Sequence, residues 1–208
     1  MSGITEQFKS EIDKHQMQVI YDNGVNRHIR FKRPGTMCLH FDLITWPGYL
    51  CYTGDMGTYV FQRLHDMFQF FRRDEGDRQY RIDYRYWAEK VEASDKGDGI
   101  ERFSPDKFRV NVRDWFEQRT EDADDWTEEA KAELWKRIED EVLYALDDTG
   151  EQGAYAAMRD FDHNKRWFFQ DWESNSREYT HRFLWCCHAL AWAITTYDSA
   201  RQPSEVPA

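Results

Sequence analysis

Residues 38–61, CLHFDLITWPGYLCYTGDMGTYVF, decide the fold class. Leu39, Phe41 and Leu43 alternate there with His40 and Asp42, and Ile44 and Trp46 make the second face apolar towards its end, which is the period-two pattern of a strand. Pro47-Gly48 reverses the chain, and Tyr49 to Thr53 returns as the next strand. Gly54-Asp55-Met56-Gly57 makes a second tight connection, in which glycine supplies backbone angles that other residues avoid. Thr58 to Phe61 suits a further strand.

Upstream, Ile4, Phe8 and Ile12 recur at helical spacing among charged residues, which predicts a short amphipathic helix over 4–15 that lies on the sheet. Met17, Val19 and Tyr21 alternate, Asp22-Asn23-Gly24 signals a hairpin, and Ile29 and Phe31 alternate on its far side until Pro34-Gly35 ends the strand. Arg27, Arg30, Lys32 and Arg33 crowd this hairpin. They suit either a phosphate-binding ribbon or an edge strand kept apart from other strands by charge.

Downstream, Leu64 to Arg73 suits a helix with Leu64, Met67, Phe68 and Phe71 on one side. Tyr84 to Val91 reads as a short helix and Ala93 to Gly99 as a polar linker. Ser104-Pro105 places an N-cap serine before a first-turn proline and starts a helix with Phe108, Val112, Trp115 and Phe116 on one face. Trp126, Ala130, Leu134, Ile138, Val142 and Leu146 repeat every fourth residue, so Asp125 to Leu146 reads as a long amphipathic helix broken by Gly150 and Gly153. Residues 154–172 and 176–199 suit two more helices, the second apolar nearly all round and so expected at the centre of a helical core. The expected architecture is α+β: an N-terminal helix on a four-stranded antiparallel sheet, then a C-terminal helical bundle. Residues 1–73 would form the sheet with its flanking helices, 74–200 a helical region packed on it in the same globular unit, and 201–208 a frayed tail.

Composition narrows the class. With 40% hydrophobic residues, 16% aromatic residues and nine Trp, the 208-residue chain can bury a core despite 32% charged residues. No basic-then-apolar leader is visible, and Phe183 to Thr196, the longest mostly apolar run, is too short to span a bilayer. Cys38, Cys51, Cys186 and Cys187 form no C-x-x-C pair and are expected as reduced thiols in a cytoplasmic protein. The net charge of -11 is concentrated: residues 117–151 hold 14 acids against 4 Lys/Arg, whereas residues 1–116 hold 18 of each.

Two kinds of site follow. His40 and Asp42, two apart on one strand, share a face that His28 could approach, and the group suits a metal site, a base with its orienting carboxylate, or a hydrogen-bonded, half-buried histidine. Asp55 is either an acid on a bared loop or a turn residue. The phosphate-loop and dinucleotide glycine patterns and the G-x-S-x-G nucleophile turn are absent, as is any metal-ligand spacing elsewhere: His181, Trp185, His188 and Trp192 read as a packing stripe, and Asp160 and Asp162 point apart on a helix. No cofactor or metal is expected. The second kind is the acidic helix, whose outer face carries Glu128, Glu129, Glu133, Asp140 and Glu141 with Trp126 beside them. It is either a solvated face or a row of carboxylates that imitates a nucleic-acid backbone and fills a basic groove on another protein, with Trp115, Phe116, Trp126 and Trp135 as anchors.

The strings F-D-L-I-T-W-P-G-Y-L (41–50) and G-D-M-G-T-Y-V-F (54–61), with H-I-R-F (28–31) ahead and D-M-F-Q-F-F (66–71) behind, resemble a family of small uncharacterised proteins of phages and prophages. The likeness covers the first third of the chain and leaves out 117–151. It implies a context and not a catalytic role: accessory proteins of this kind bind and block host machinery, including defence systems. The expectation is a non-enzymatic phage or mobile-element protein, anti-CRISPR-like, that works in the cytoplasm of the bacterial host. It would inhibit a host protein, such as a nucleic-acid-binding defence complex, through its acidic helical face, without binding nucleic acid or membrane itself. The alternative is a small enzyme with its site around His40, Asp42 and Asp55.

Overall fold

Strand alternation becomes a six-stranded antiparallel meander in the computed structural model, which describes residues 2–72, 82–121, 126–163 and 166–201. Its strands lie side by side in chain order: β1 (Gln16–Asn23), β2 (Asn26–Lys32), β3 (Phe41–Trp46), β4 (Tyr49–Gly54), β5 (Gly57–Gln62) and β6 (Val91–Ser94). The register puts Ile29, Leu43, Tyr52 and Tyr59 in one row and Phe31 beside Phe41 in the next, all on the inner face and all buried. Phe31 stacks on Phe41 at 5.0 Å, and Phe41 on Tyr52 at 5.4 Å. Each fully buried side chain of this size stabilises the fold by about 1.5–3 kcal/mol.

Four helices cover that face: α1 (Ser2–Ile12), α2 (Met67–Phe71), α3 (Tyr84–Ala88) and α7 (His181–Arg201). Phe8 and Ile12 of α1 are buried, as their spacing predicts. Asp66 caps α2 by accepting from Phe68 N, and Asp83 caps α3 by accepting from Tyr86 N. Trp185 of α7 meets Phe41 edge-on at 5.7 Å and Phe8 at 5.0 Å, and Trp192 meets Phe31 at 5.3 Å.

Chain contacts divide the protein into two compact units, residues 1–101 with 179–208, and residues 102–178. The second unit holds α4 (Pro105–Glu121), α5 (Glu128–Ile138), a π-turn (Glu139–Leu143) and α6 (Tyr144–Asp160). Two short strand pairs complete it: β8 (Asp162–His163) with β9 (Arg166–Trp167), and β7 (Glu101–Phe103) with β10 (Arg177–Tyr179), where the chain enters and leaves the unit. Its core includes Phe108, Val112, Leu134, Ile138, Val142, Met158 and Phe169. The π-turn has a sequence cause. At about 100° per residue, a step of four over-rotates by about 40°, so Leu134, Ile138, Val142 and Leu146 would sweep about 120° around an unbroken α-helix. One wider turn absorbs the excess, and all four stay buried. Gly150 then kinks α6 at φ 70, ψ -152, a conformation open essentially to glycine alone.

The α+β class and the N-terminal helix on an antiparallel sheet agree with the sequence reading; several details do not. The sheet has six strands, not four: the five stretches that alternate between residues 17 and 61 all join it, and Val91–Ser94, read as a helix end and linker, pairs with β5. The predicted helix over 125–146 is interrupted by the π-turn, and the one over 154–172 stops at Asp160, where Phe161 turns to an extended conformation and the β8-β9 hairpin follows. The last helix backs the sheet and is not the centre of a separate bundle; it is apolar nearly all round because strands meet one side and α1, α2 and α3 meet others. Arg73, Asp125 and the tail from 202 onward lie outside the described residues, whereas Arg201 belongs to α7.

Gly54 closes the β4-β5 turn against the start of β3. A Cβ there would overlap His40 O and come within 2.7 Å of Phe41 Cα, both backbone atoms. Gly150 instead has open space around it, so an alanine there meets only backbone strain. Urea unfolding should therefore rank the variants: Gly150→Ala loses about 1–3 kcal/mol. Gly54→Ala loses more than about 3 kcal/mol, above the usual overpacking range of about 1–3 kcal/mol, because the atoms its Cβ would overlap are backbone and cannot swing aside.

Candidate functional site

The two carboxylates of the β3-β4-β5 region serve two separate clusters. Asp42 sits on the outer face of the sheet yet is only 6% exposed, because its neighbours across the β2-β3 ladder lie over it. Arg30 donates to it from Nε and Nη2 at 2.8 Å each, and His28 Nε2 donates at 2.8 Å. Burial pushes the Asp42 carboxyl towards its neutral form, but the hydrogen bonds from Arg30 and His28 outweigh it and hold the group below its ordinary value of 3.8. Both carboxylate oxygens are occupied, so Asp42 acts as a fastener between strands.

His40 does not share that cluster. Leu39 adopts a left-handed conformation, φ 57, and β3 begins only at Phe41, so His40 lies before the strand and not on its face with Asp42. Its Nδ1 lies 2.7 Å from Met37 O and 3.1 Å from Asp55 Oδ1. Both are acceptors, so Nδ1 carries a proton and Nε2 is the basic nitrogen of the neutral ring. Asp55 also accepts from Leu39 N at 2.6 Å, and its own N–H donates to His40 O at 3.1 Å. His15 Nε2 donates to Leu39 O at 3.0 Å, while His15 Nδ1 is buried with no partner among the described residues. The close approach at Gly54 makes this possible by laying residues 39–40 directly against the Asp55 turn. A histidine oriented by a carboxylate, on strained backbone, has the geometry of a general base. Asp55 thus ties the turn, as one of its two sequence readings has it, and also pairs with His40, a contact that neither reading named.

The arginine-rich hairpin is not a free phosphate ribbon. Arg27 is buried, bidentate to Asp66 at 2.8 and 3.0 Å, and lies over the Phe68 ring at 4.5 Å. Arg30 is bound to Asp42, and Arg33 reaches Asp13 at 3.8 Å. These residues do not guard an edge either, since β2 is an inner strand and the edge is β1. The 181–192 stripe is packing: Trp185 Nε1 donates to Glu11 at 2.7 Å, and His188 Nε2 meets Tyr84 OH at 2.9 Å. Cys38 is exposed, Cys51 half-buried, and Cys186 and Cys187 are buried; all four are free thiols. Burial raises the Cys186 and Cys187 pKa well above the ordinary thiol value. Among the described residues no group of three His, Cys, Asp or Glu side chains is placed to hold a metal ion, and no helix is long and apolar enough to cross a membrane.

The second unit carries the charge. Residues 102–178 contain 21 acids and 12 Lys/Arg. Glu128, Glu129, Glu133, Asp140 and Glu141 are all exposed on α5 and the π-turn. Glu141 pairs with Arg137 at 3.0 Å and Glu128 with Lys131 at 3.4 Å, whereas Glu129, Glu133 and Asp140 have no ion-pair partner among the described residues. The aromatic residues expected as anchors are engaged internally. Trp126 stacks on His163 at 5.2 Å, Trp115 is covered by Arg119 at 4.5 Å, Phe116 is buried, and Trp135 lies under Arg113 at 3.5 Å. Tyr144 is the most exposed aromatic residue of the unit instead, 65% against 46% for Trp167, with Glu139 one π-turn before it and Asp148 one turn after. Its place in the apolar run Val142-Leu143-Tyr144-Ala145-Leu146 hides this, because only the π-turn sets which of these residues faces outward.

Compared with family models, with curated proteins and with solved structures, the chain matches none.

Asp42→Asn leaves Arg30 and His28 without their shared charge and should lower stability at neutral pH by about 1–3 kcal/mol in urea unfolding. The folded carboxyl titrates below 3.8, so the wild-type advantage is complete above that value and is lost as pH falls through the lower folded-state range. The stability curves of the two proteins should converge in acid.

Proposed function

We propose that this chain is an interaction protein that docks its second unit, through the acidic face of α5, the π-turn and the start of α6, into a positively charged groove of another protein and blocks that groove. What supports the reading is the set of open carboxylates at Glu129, Glu133 and Asp140, in a unit where acids outnumber Lys/Arg 21 to 12. Such a surface attracts a cationic partner over long range and repels nucleic acid, which makes it a competitor for a groove built to hold a phosphate backbone. Tyr144 supplies the kind of large, half-apolar side chain that dominates interface energetics when it enters a pocket. The likeness of residues 28–71 to phage and prophage accessory proteins directs the proposal to a bacterial host's nucleic-acid-binding defence complex as the target, with inhibition in the anti-CRISPR manner.

A second reading rests on one observation, the 3.1 Å contact of His40 Nδ1 with Asp55. In that reading the first unit is a small enzyme whose His40 moves a proton at Nε2 while Asp55 orients the ring.

The two separate in one set of variants. With the tagged chain as bait in host lysate, the interaction reading expects a basic, nucleic-acid-binding protein that nucleic acid or added salt displaces. Glu129→Lys/Glu133→Lys/Asp140→Lys should weaken that capture by about tenfold or more with an unchanged melting curve, and Tyr144→Ala should cost about 2 kcal/mol of binding. Capture unaffected by the triple reversal would sink the acidic-face reading. If the first unit is an enzyme, His40→Ala abolishes turnover of its substrate while the triple reversal leaves it intact.

A further inference from the structure

Beyond the Gly150 kink, Glu151, Tyr155 and Arg159 recur every fourth residue of α6 and so share one face, with Gln152 and Ala156 on the adjoining stripe. These residues and Arg177 of β10 line an open groove of about 480 Å³, within the size range of small-ligand sites. Its charge is the reverse of its setting: the lining has two arginines against one acid, in a unit where acids outnumber Lys/Arg 21 to 12.

Both arginines keep unused donors. Arg177 is fixed at its backbone, where its N–H donates to Asn175 Oδ1 at 2.8 Å and its carbonyl accepts from Lys107 Nζ at 2.7 Å. Its guanidinium makes one bond, from Nη2 to Glu151 Oε1 at 2.9 Å, and Nε and Nη1 have no partner among the described residues. Arg159 reaches only its neighbour Asp160, at 3.4 Å from Nε, which leaves both of its Nη groups without a partner among the described residues. The Tyr155 ring is held by edge-to-face contacts with Phe103 at 6.1 Å and Phe108 at 5.5 Å and is still 36% exposed. A ring fixed in place beside guanidinium groups with spare N–H donors suits an anion that carries a flat apolar body.

We infer that this groove binds a small ligand whose anionic oxygen head group, a carboxylate or a phosphate, is held by Arg159 and Arg177 while its planar body lies on Tyr155. Glu151 displays the chemistry that Arg177 accepts: its carboxylate takes one guanidinium donor and competes with an incoming head group for the rest. The site shares no residue with the acidic face proposed for docking and is tested apart from it.

The isotope-labelled full chain is titrated with phenyl phosphate, with benzoate and with neutral benzamide, and the arginine Nε–H signals and the amides of residues 151–159 are followed by NMR. Phenyl phosphate or benzoate should move these signals saturably at millimolar concentration and benzamide should not; whichever anion binds more tightly identifies the head group. Arg177→Gln and Arg159→Gln should each weaken that anion by about tenfold, the loss of a charge-assisted hydrogen bond. Glu151→Gln should tighten it severalfold with an unchanged melting curve, because the competing carboxylate is gone; an ion pair with a structural role alone gives no such gain. Failure of both anions to produce saturable shifts overturns the inference. So do shifts centred outside the groove, benzamide binding as tight as that of the anions, or affinity that all three substitutions leave unchanged.

Discussion

Contact between the aromatic inner face of the sheet and the last helix is the interaction on which the first unit depends. Phe31, Phe41, Tyr52 and Phe61 form a layer that water would otherwise touch, and Trp185, Cys186, Leu190 and Ile194 of α7 close over it. The layer is buried deeply enough that the Tyr52 hydroxyl finds no side-chain or backbone partner among the described residues. That cost is tolerable only because the surrounding burial is extensive. Where a polar atom can be satisfied it is: Glu11 takes the Trp185 indole N–H, and Asp66 takes both prongs of Arg27 at the far end of the same core. The strand alternation, the glycine approach at residue 54 and the caps on α2 and α3 all serve to present this layer to one helix.

With that face closed, the polar chemistry of the first unit moves to the other side of the sheet and to the rim. Asp42 and Asp55 show how differently one residue type behaves in two settings 13 positions apart. The first is covered, its oxygens shared between Arg30 and His28, so its charge is spent on holding β2 to β3. The second is partly open and holds the backbone of Leu39 in an unfavourable conformation while it orients a histidine ring. Residues 102–178 solve a different problem: a small helical core under a strongly negative exterior, in which Arg113 and Arg119 lie over tryptophan rings and make no ion pair among the described residues.

How much was legible in the chain follows from what each feature depends on. Alternation at 41–61 and the i, i+4 spacing of Phe8 and Ile12 are local signals, so strands and the first helix could be read directly. β6 has no such signal; Val91–Ser94 is a strand because β5 offers it an edge. The pairing of His40 with Asp55 instead of Asp42 turns on the sign of one φ at Leu39, which no spacing rule carries. Charge could be counted and so the acidic stretch was visible, yet its aromatic companion was not, since a widened turn decides that Tyr144 and not Trp135 looks outward. The four-residue repeat from Leu134 to Leu146 contained the hint, because an ordinary α-helix cannot keep that repeat on one side.

The order of the chain has a consequence for how the molecule is made. The meander leaves the ribosome first, while the helix that seals it follows residues 102–178. The helical unit, contiguous and rich in near-neighbour contacts, can therefore mature while a sheet bearing Phe31, Phe41 and Phe61 still waits with its greasy side uncovered. A nascent chain in that state is a natural client for holding chaperones, and the interval lengthens with every residue that separates β6 from α7.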